Sequence, residues 1–181
     1  MKMPKDSIKL IVPTKEYEIA ALAYRQEHFD CGEKIINGSA LFDKIDSYDE
    51  WLLHITQISD KKTLPQDWVV SSTFFGIRED DNKIVGMIDI RHYLNDWLRK
   101  YYGHIGYAVR PSERQKGYAT QMLNLGLHYC KTLNMRRVML SCYSDNIASI
   151  KTITKCGGVF ENEFPYLDGK PMSVFWIELI N

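Results

Sequence analysis

The chain has 181 residues, the length of one domain, and its 23 Lys+Arg are balanced by 23 Asp+Glu. Its 45% hydrophobic and 25% charged fractions are those of a soluble globular protein, and at this length folding buries roughly 70% of the unfolded surface. Zero net charge excludes a nucleic-acid binder that works through a general positive field, and no basic stripe offers a local substitute. No run reaches the ~18 apolar residues of a membrane span, and the three lysines of Met1–Leu10 are not followed by the apolar stretch of a secretory signal. Cys31, Cys130, Cys142 and Cys156 show no C-x-x-C spacing, so thiols of a reducing cytoplasm are expected, with no structural metal.

Nothing divides the sequence into linker and domain, so residues 1–181 are expected to form one domain. Ile8–Val12 predicts a short strand stopped by Pro13. Thr14 is the expected cap of a helix running to about His28, with Ile19, Leu22 and Ala23 on its apolar side. Asp30–Leu41 reads as loop. Ser47 caps a second helix over Tyr48–Ser59. The period then changes to that of strands. Trp68–Ile77 and Lys83–His92 form a β-hairpin about the turn Glu79–Asn82, and Gly103–Val109 adds a strand ended by Pro111. Gly117–Leu133 has helical spacing through Leu123, Leu127 and Cys130. Arg137–Tyr143 is a strand, Asn146–Cys156 a short helix stopped by Gly157-Gly158, and two last strands fall near Val159–Phe164 and Ser173–Leu179. Helices, then antiparallel strands, then strand–helix–strand–helix–strand make a mixed α/β (α+β) sheet and exclude a doubly wound array.

The chemistry points to the segment from Gly106 to Thr120, which places a basic, glycine-containing loop between a strand and a helix. Three cations and one acid between Arg110 and Lys116 give a local net of +2. Backbone N–H groups at such a junction, with the helix dipole behind them, make an anion site. Gly117 lets a phosphate approach, and Ala119 keeps the first helical turn small. The Walker pattern fails because Ser112 stands where its first glycine would be, and G-x-G-x-x-G is absent. What remains is Arg114-Gln115-Lys116-Gly117-Tyr118-Ala119, an Arg/Gln-x-x-Gly-x-Gly/Ala loop.

This loop, the strand before it with Pro111, and the helix after it resemble the acetyl-CoA-binding core of the GNAT N-acetyltransferase superfamily. A second motif stands in register with it: Asn146-Ile-Ala-Ser149 opens a helix ending at Gly157. The resemblance spans about Ile84 to Phe160, and the whole chain is similar to a poorly characterised bacterial branch of that superfamily. It implies an acyl-CoA N-acyltransferase fold, a mixed and mostly antiparallel twisted sheet flanked by helices. It also implies the cofactor contacts. Backbone groups about Ala108 and Val109 would bond the pantetheine arm in a splay between the strands ending at Val109 and Tyr143. Backbone N–H groups of Arg114, Gln115, Lys116, Gly117, Tyr118, Ala119 and Thr120 would hold the pyrophosphate, with the Thr120 hydroxyl as a further donor. Asn146 and Ser149 would lie beside the pantetheine.

The mechanism implied is direct attack of an amine on the thioester, with no covalent enzyme intermediate and no metal. One position departs from the family: the tyrosine that often protonates the leaving thiolate is here Ile153. Tyr143, Tyr107 or water would have to replace it, and a thiol with pKa near 8.5 needs little help. Glu27 and His104 are the candidate bases, against a helix-terminal carboxylate and a structural histidine. Asp89 and Arg91 share a strand face and read as a structural ion pair. Seven acids against two lysines between Glu27 and Glu50 would steer a cationic amine. The expected activity is acetyl transfer from acetyl-CoA to a primary amine of a small molecule or peptide, in the cytoplasm and without nucleic-acid or membrane partners, by a chain that could form a homodimer. The alternatives are a non-catalytic acyl-CoA sensor and a transferase for a different acyl group.

Overall fold

The computed structural model describes residues 7–179; the first six residues, part of the lysine-bearing segment read above for a signal, and the last two lie outside it. The order is β1 (Ile8–Ile11), α1 (Glu18–Asp30), α2 (Tyr48–Ser59), β2 (Ser71–Arg78), β3 (Ile84–Arg91), α3 (Asp96–Tyr101), β4 (Ile105–Val109), α4 (Tyr118–Thr132), β5 (Arg137–Tyr143), α5 (Ile147–Lys155), β6 (Val159–Pro165) and β7 (Pro171–Glu178). Ser47 caps α2 as expected, its Oγ accepting from the Glu50 N–H at 3.3 Å. Thr14 makes no side-chain cap, and a 3-10 turn at Lys15–Tyr17 intervenes, so α1 starts at Glu18. The sequence reading missed α3. It has six residues, too few for a period to emerge, and its only marker is Asn95, whose Oδ1 accepts from the Leu98 N–H at 2.9 Å.

β1, β2, β3 and β4 pair antiparallel in that order, and β5, β7 and β6 form a second, three-stranded sheet. Central β3 is buried along nearly its whole length, which is why its sequence runs apolar instead of alternating. One core lies between the sheets and α4, with Ile88, Ile90, Met122, Leu123 and Leu140. The other lies between the opposite face and α1 and α2, with Tyr24, Trp51, Phe75 and Met87.

The two sheets meet at one isolated bridge, Gly103 to Leu140. Gly103 has φ +79°, and a Cβ there would meet the Met139 carbonyl oxygen at 2.4 Å, so only glycine closes the joint. Beside it, the His104 N–H donates to Met139 O at 2.7 Å, and the Met139 N–H donates to His104 Nδ1 at 2.9 Å. From this vertex β4 and β5 diverge.

Candidate active site

The gap beyond the vertex is lined by backbone. The Arg91 N–H donates to His104 O and the Arg110 N–H to Val85 O, each at 2.8 Å. Strand parity then turns the backbone groups of 104, 106, 108 and 110 toward β3, and those of Ile105, Tyr107 and Val109 toward the gap. The backbone N–H and C=O of Val109 therefore face the gap. Ala108 differs: its carbonyl faces β3 and accepts from the Tyr24 hydroxyl at 3.3 Å.

At the open end of the gap, the loop from Arg114 to Gly117 is bent by two left-handed residues, Gln115 at φ +63° and Gly117 at φ +87°. Gly117 is the N-cap of α4, with no side-chain cap bond and no acid in the first turn. The positive end of a 15-residue helix, with no acid in its first turn, thus faces the loop. Tyr118 contributes only its backbone here, because its ring is buried in the α4 core.

The local charge of +2 does not survive folding. Arg110 pairs with Glu27 at 2.5 Å, Arg114 with Glu33 at 2.6 Å, and Lys116 with Glu113 at 2.8 Å. Glu113 is buried and also holds Arg78 and Lys83. Its burial opposes ionisation, but these three cations outweigh it and keep the carboxyl at about 2. With these cations paired, N–H groups and the helix dipole are what the loop offers an anion. Arg114 also reaches inward, its Nε donating to Val109 O at 3.2 Å. It thereby occupies the carbonyl that the family resemblance assigns to a pantetheine amide.

On the α4 side of the gap, Asn146 caps α5, its Oδ1 accepting from the Ser149 N–H at 3.0 Å. The Ser149 hydroxyl lies 3.1 Å from the hydroxyl of Tyr107. Burial pushes the Tyr107 phenol up to about 12, so it is a neutral donor near pH 7. Ile153 is fully within the core and packs so tightly against Gly158 that a Cβ there would meet its Cγ2 at 2.4 Å. No side chain at 153 reaches the gap without repacking that core.

The three catalytic candidates each have other partners. Glu27 accepts from Arg110 Nε and from the Ser112 N–H at 2.8 Å. Partial burial raises its pKa, yet these bonds win and hold it near 2, too weak a base for an ammonium at neutral pH. The Nδ1 lone pair of His104 is occupied by Met139. Burial first, then Arg91, Arg99 and Arg137, depress its pKa to about 4. The Tyr143 hydroxyl donates to Asp168 Oδ2 at 3.1 Å, and burial with that carboxylate raises its pKa. Asp89 and Arg91 lie 3.7 Å apart, as read from the sequence, with Asp89 also accepting from Thr73.

The acidic stretch is likewise largely committed. Glu27 and Glu33 bind loop arginines, Asp43 accepts from Ile36 N–H and Ser39, and Asp49 pairs with Lys15. Steering of a cation by this segment is correspondingly weaker than its sequence suggests.

A divided sheet with a bare helix terminus at its opening defines the acyl-CoA N-acyltransferase class of fold. Residues 42–158 match the Acetyltransferase (GNAT) family. With well over half of the chain covered, this protein belongs to that family. It is similar to the uncharacterized N-acetyltransferase YnaD of Bacillus subtilis (strain 168), 28% identical over 82 residues, 45% of this chain and 46% of that one. The match thus spans under half the length of that relative. Among solved structures it resembles the microcin C7 self-immunity acetyltransferase MccE in complex with acetyl-CoA and AMP, at TM-score 0.66 and 20% identity over 96% and 93% of the two chains. It also resembles mutant forms of the spermidine/spermine N-acetyltransferase SpeG of Vibrio cholerae, at TM-score 0.65 and 16% identity over 95% and 94%. These structures share the fold.

Proposed function

We propose that this protein transfers the acetyl group of acetyl-CoA directly to a primary amine of a small molecule. The observation that carries this reading is the gap between β4 and β5, with the Tyr107 and Val109 backbone turned into it and the uncapped α4 terminus at its mouth. N–H groups from Arg114 to Thr120 would hold the pyrophosphate, and Val109 the pantetheine amides. Asn146 would flank the arm, and Ser149 would act through Tyr107. The SpeG likeness supports a small amine as acceptor.

In the reaction the amine nitrogen forms the C–N bond, the thioester C–S bond breaks, the amine proton passes to water, and the sulfur takes up a proton. Of the candidates for meeting that sulfur, Tyr107 is favoured over Tyr143, whose proton is directed to Asp168. A phenol at about 12 lies well above a thiol near 8.5, so Tyr107 would stabilise the departing sulfur mainly as a hydrogen-bond donor. Glu27 and His104 are proposed as parts of the scaffold, and the base as water.

Thiol release from acetyl-CoA in the presence of a panel of primary amines tests this. Amine-dependent release is expected, with kcat about tenfold lower in Tyr107→Phe and KM for acetyl-CoA little changed. Binding of acetyl-CoA without release for any amine would instead favour the acyl-CoA sensor, a reading supported by the occupation of Glu27 and His104.

A further inference from the structure

On the face opposite α5, three phenols from three segments meet beside the gap. Tyr102 precedes the vertex, Tyr143 ends β5, and Tyr166 lies in the β6–β7 connection. Tyr166 packs edge-on against Tyr143 at 5.7 Å and against Tyr102 at 6.0 Å, and its hydroxyl bonds that of Tyr102 at 2.5 Å. Tyr166 packs in the same way against Tyr101 at 5.7 Å, and the faces of such rings attract cations.

Two of those faces already carry one. Arg91 Cζ lies 5.9 Å from the Tyr102 ring centre, and Lys170 Nζ lies 5.7 Å from that of Tyr143. Arg91 is fixed by Gly103 O at 3.0 Å and by Asp89. Lys170 is held less firmly: it is exposed, follows Gly169 at φ +80°, and makes no close salt bridge among the described residues, although its charge helps lower the pKa of the neighbouring Asp168. Beside it Asp168 is held in place, Oδ1 accepting from the Lys170 N–H at 3.0 Å and Oδ2 from Tyr143. Asp168 and Asp145 both place negative charge near the Tyr143 phenol.

We infer that Tyr143, Tyr166 and Asp168 form a subsite for a second positive charge on the acceptor, with Lys170 as the side chain that the ligand displaces. The acceptor class is then a diamine or other amine bearing a distal ammonium. This rests on the acetyltransferase reading for its place in the reaction, while the subsite itself can be tested without turnover.

The probes are 1,4-diaminobutane and butylamine, matched in chain length and differing by one charge. In thiol release, kcat/KM for the diamine should exceed that for butylamine by about tenfold. Asp168→Asn should remove most of that advantage, lowering kcat/KM far more for the diamine than for butylamine, and Lys170→Ala should raise kcat/KM for the diamine about threefold. A merely structural Lys170 would not produce a gain. Calorimetric titration of the diamine into the CoA-saturated protein should show the same ranking among wild type, Asp168→Asn and Lys170→Ala. Failure of acetyl-CoA to bind would overturn the acetyltransferase reading, and the diamine titration into the protein alone would still decide the subsite. Equal binding of the two amines, or a diamine affinity indifferent to Asp168→Asn, would overturn the subsite.

Discussion

The two sides of the gap are built from different materials. The proposed cofactor side is backbone: a left-handed glycine, the terminus of α4 and the inward carbonyl of Val109, with every loop cation between Arg110 and Lys116 tied to a glutamate. The proposed acceptor side is side chains, namely the phenols of Tyr102, Tyr143 and Tyr166 with Asp168 and Lys170. A backbone site recognises a shape common to many sequences, whereas a side-chain site can be rebuilt residue by residue. Substitutions on one side should therefore move CoA affinity, and those on the other should move the KM of the amine.

The largest effect is expected at Gly117. At φ +87°, Gly117→Val costs backbone strain and adds bulk where the phosphate would approach, so CoA affinity should fall about 100-fold with the fold retained. Unchanged affinity in calorimetry, with an unchanged circular dichroism spectrum, would remove the phosphate loop from the cofactor side.

Next comes the vertex that both sides share. His104 is held neutral in the fold, with its pKa lowered to about 4 by burial and by nearby arginines. Unfolded, it takes a proton near 6.5. The unfolded state binds more protons between these values, so the neutral imidazole's contribution is complete above 6.5 and is lost as pH falls toward 4. On the order of 3 kcal/mol should vanish over that window. Urea unfolding of His104→Gln should show a flatter pH dependence than wild type, and parallel curves would contradict the role given to Nδ1.

Ile153→Tyr follows, with an expected loss of about 1–3 kcal/mol in stability from overpacking against Gly158, read as a lower Tm, and no gain in turnover. The smallest effect belongs to Glu33→Gln. Freed from its carboxylate partner, Arg114 should leave Val109 O more readily, and CoA should bind about threefold tighter. Weaker binding would mean that Glu33 aims Arg114 at the phosphate instead of restraining it.

What could be read from the sequence follows the same division. Arg137–Tyr143, the Ser47 cap and the Asn146 cap depend on residues within a few positions of one another, and these were legible. The basic loop before α4 is legible for the same reason. The neutralisation of its charge was not, because Glu27 lies 83 residues from Arg110 and Glu33 lies 81 from Arg114. No local window contains such pairs. His104 and Tyr143 stand out in the sequence by the chemistry of their side chains, and only the fold shows that Met139 and Asp168 engage them. The tyrosine cluster draws on three segments that no motif links. The departure at Ile153 was visible, but that it is a core residue required the packing of α5 against Gly158.

The most direct test of the central claim is calorimetric titration of the purified protein with acetyl-CoA, beside ATP and NAD, after any copurified cofactor has been removed. Selective binding of acetyl-CoA in the micromolar range, lost in Gly117→Val, is the result expected of a backbone phosphate site at the mouth of the divided sheet. No binding of acetyl-CoA, or equal binding of all three nucleotides, would contradict it.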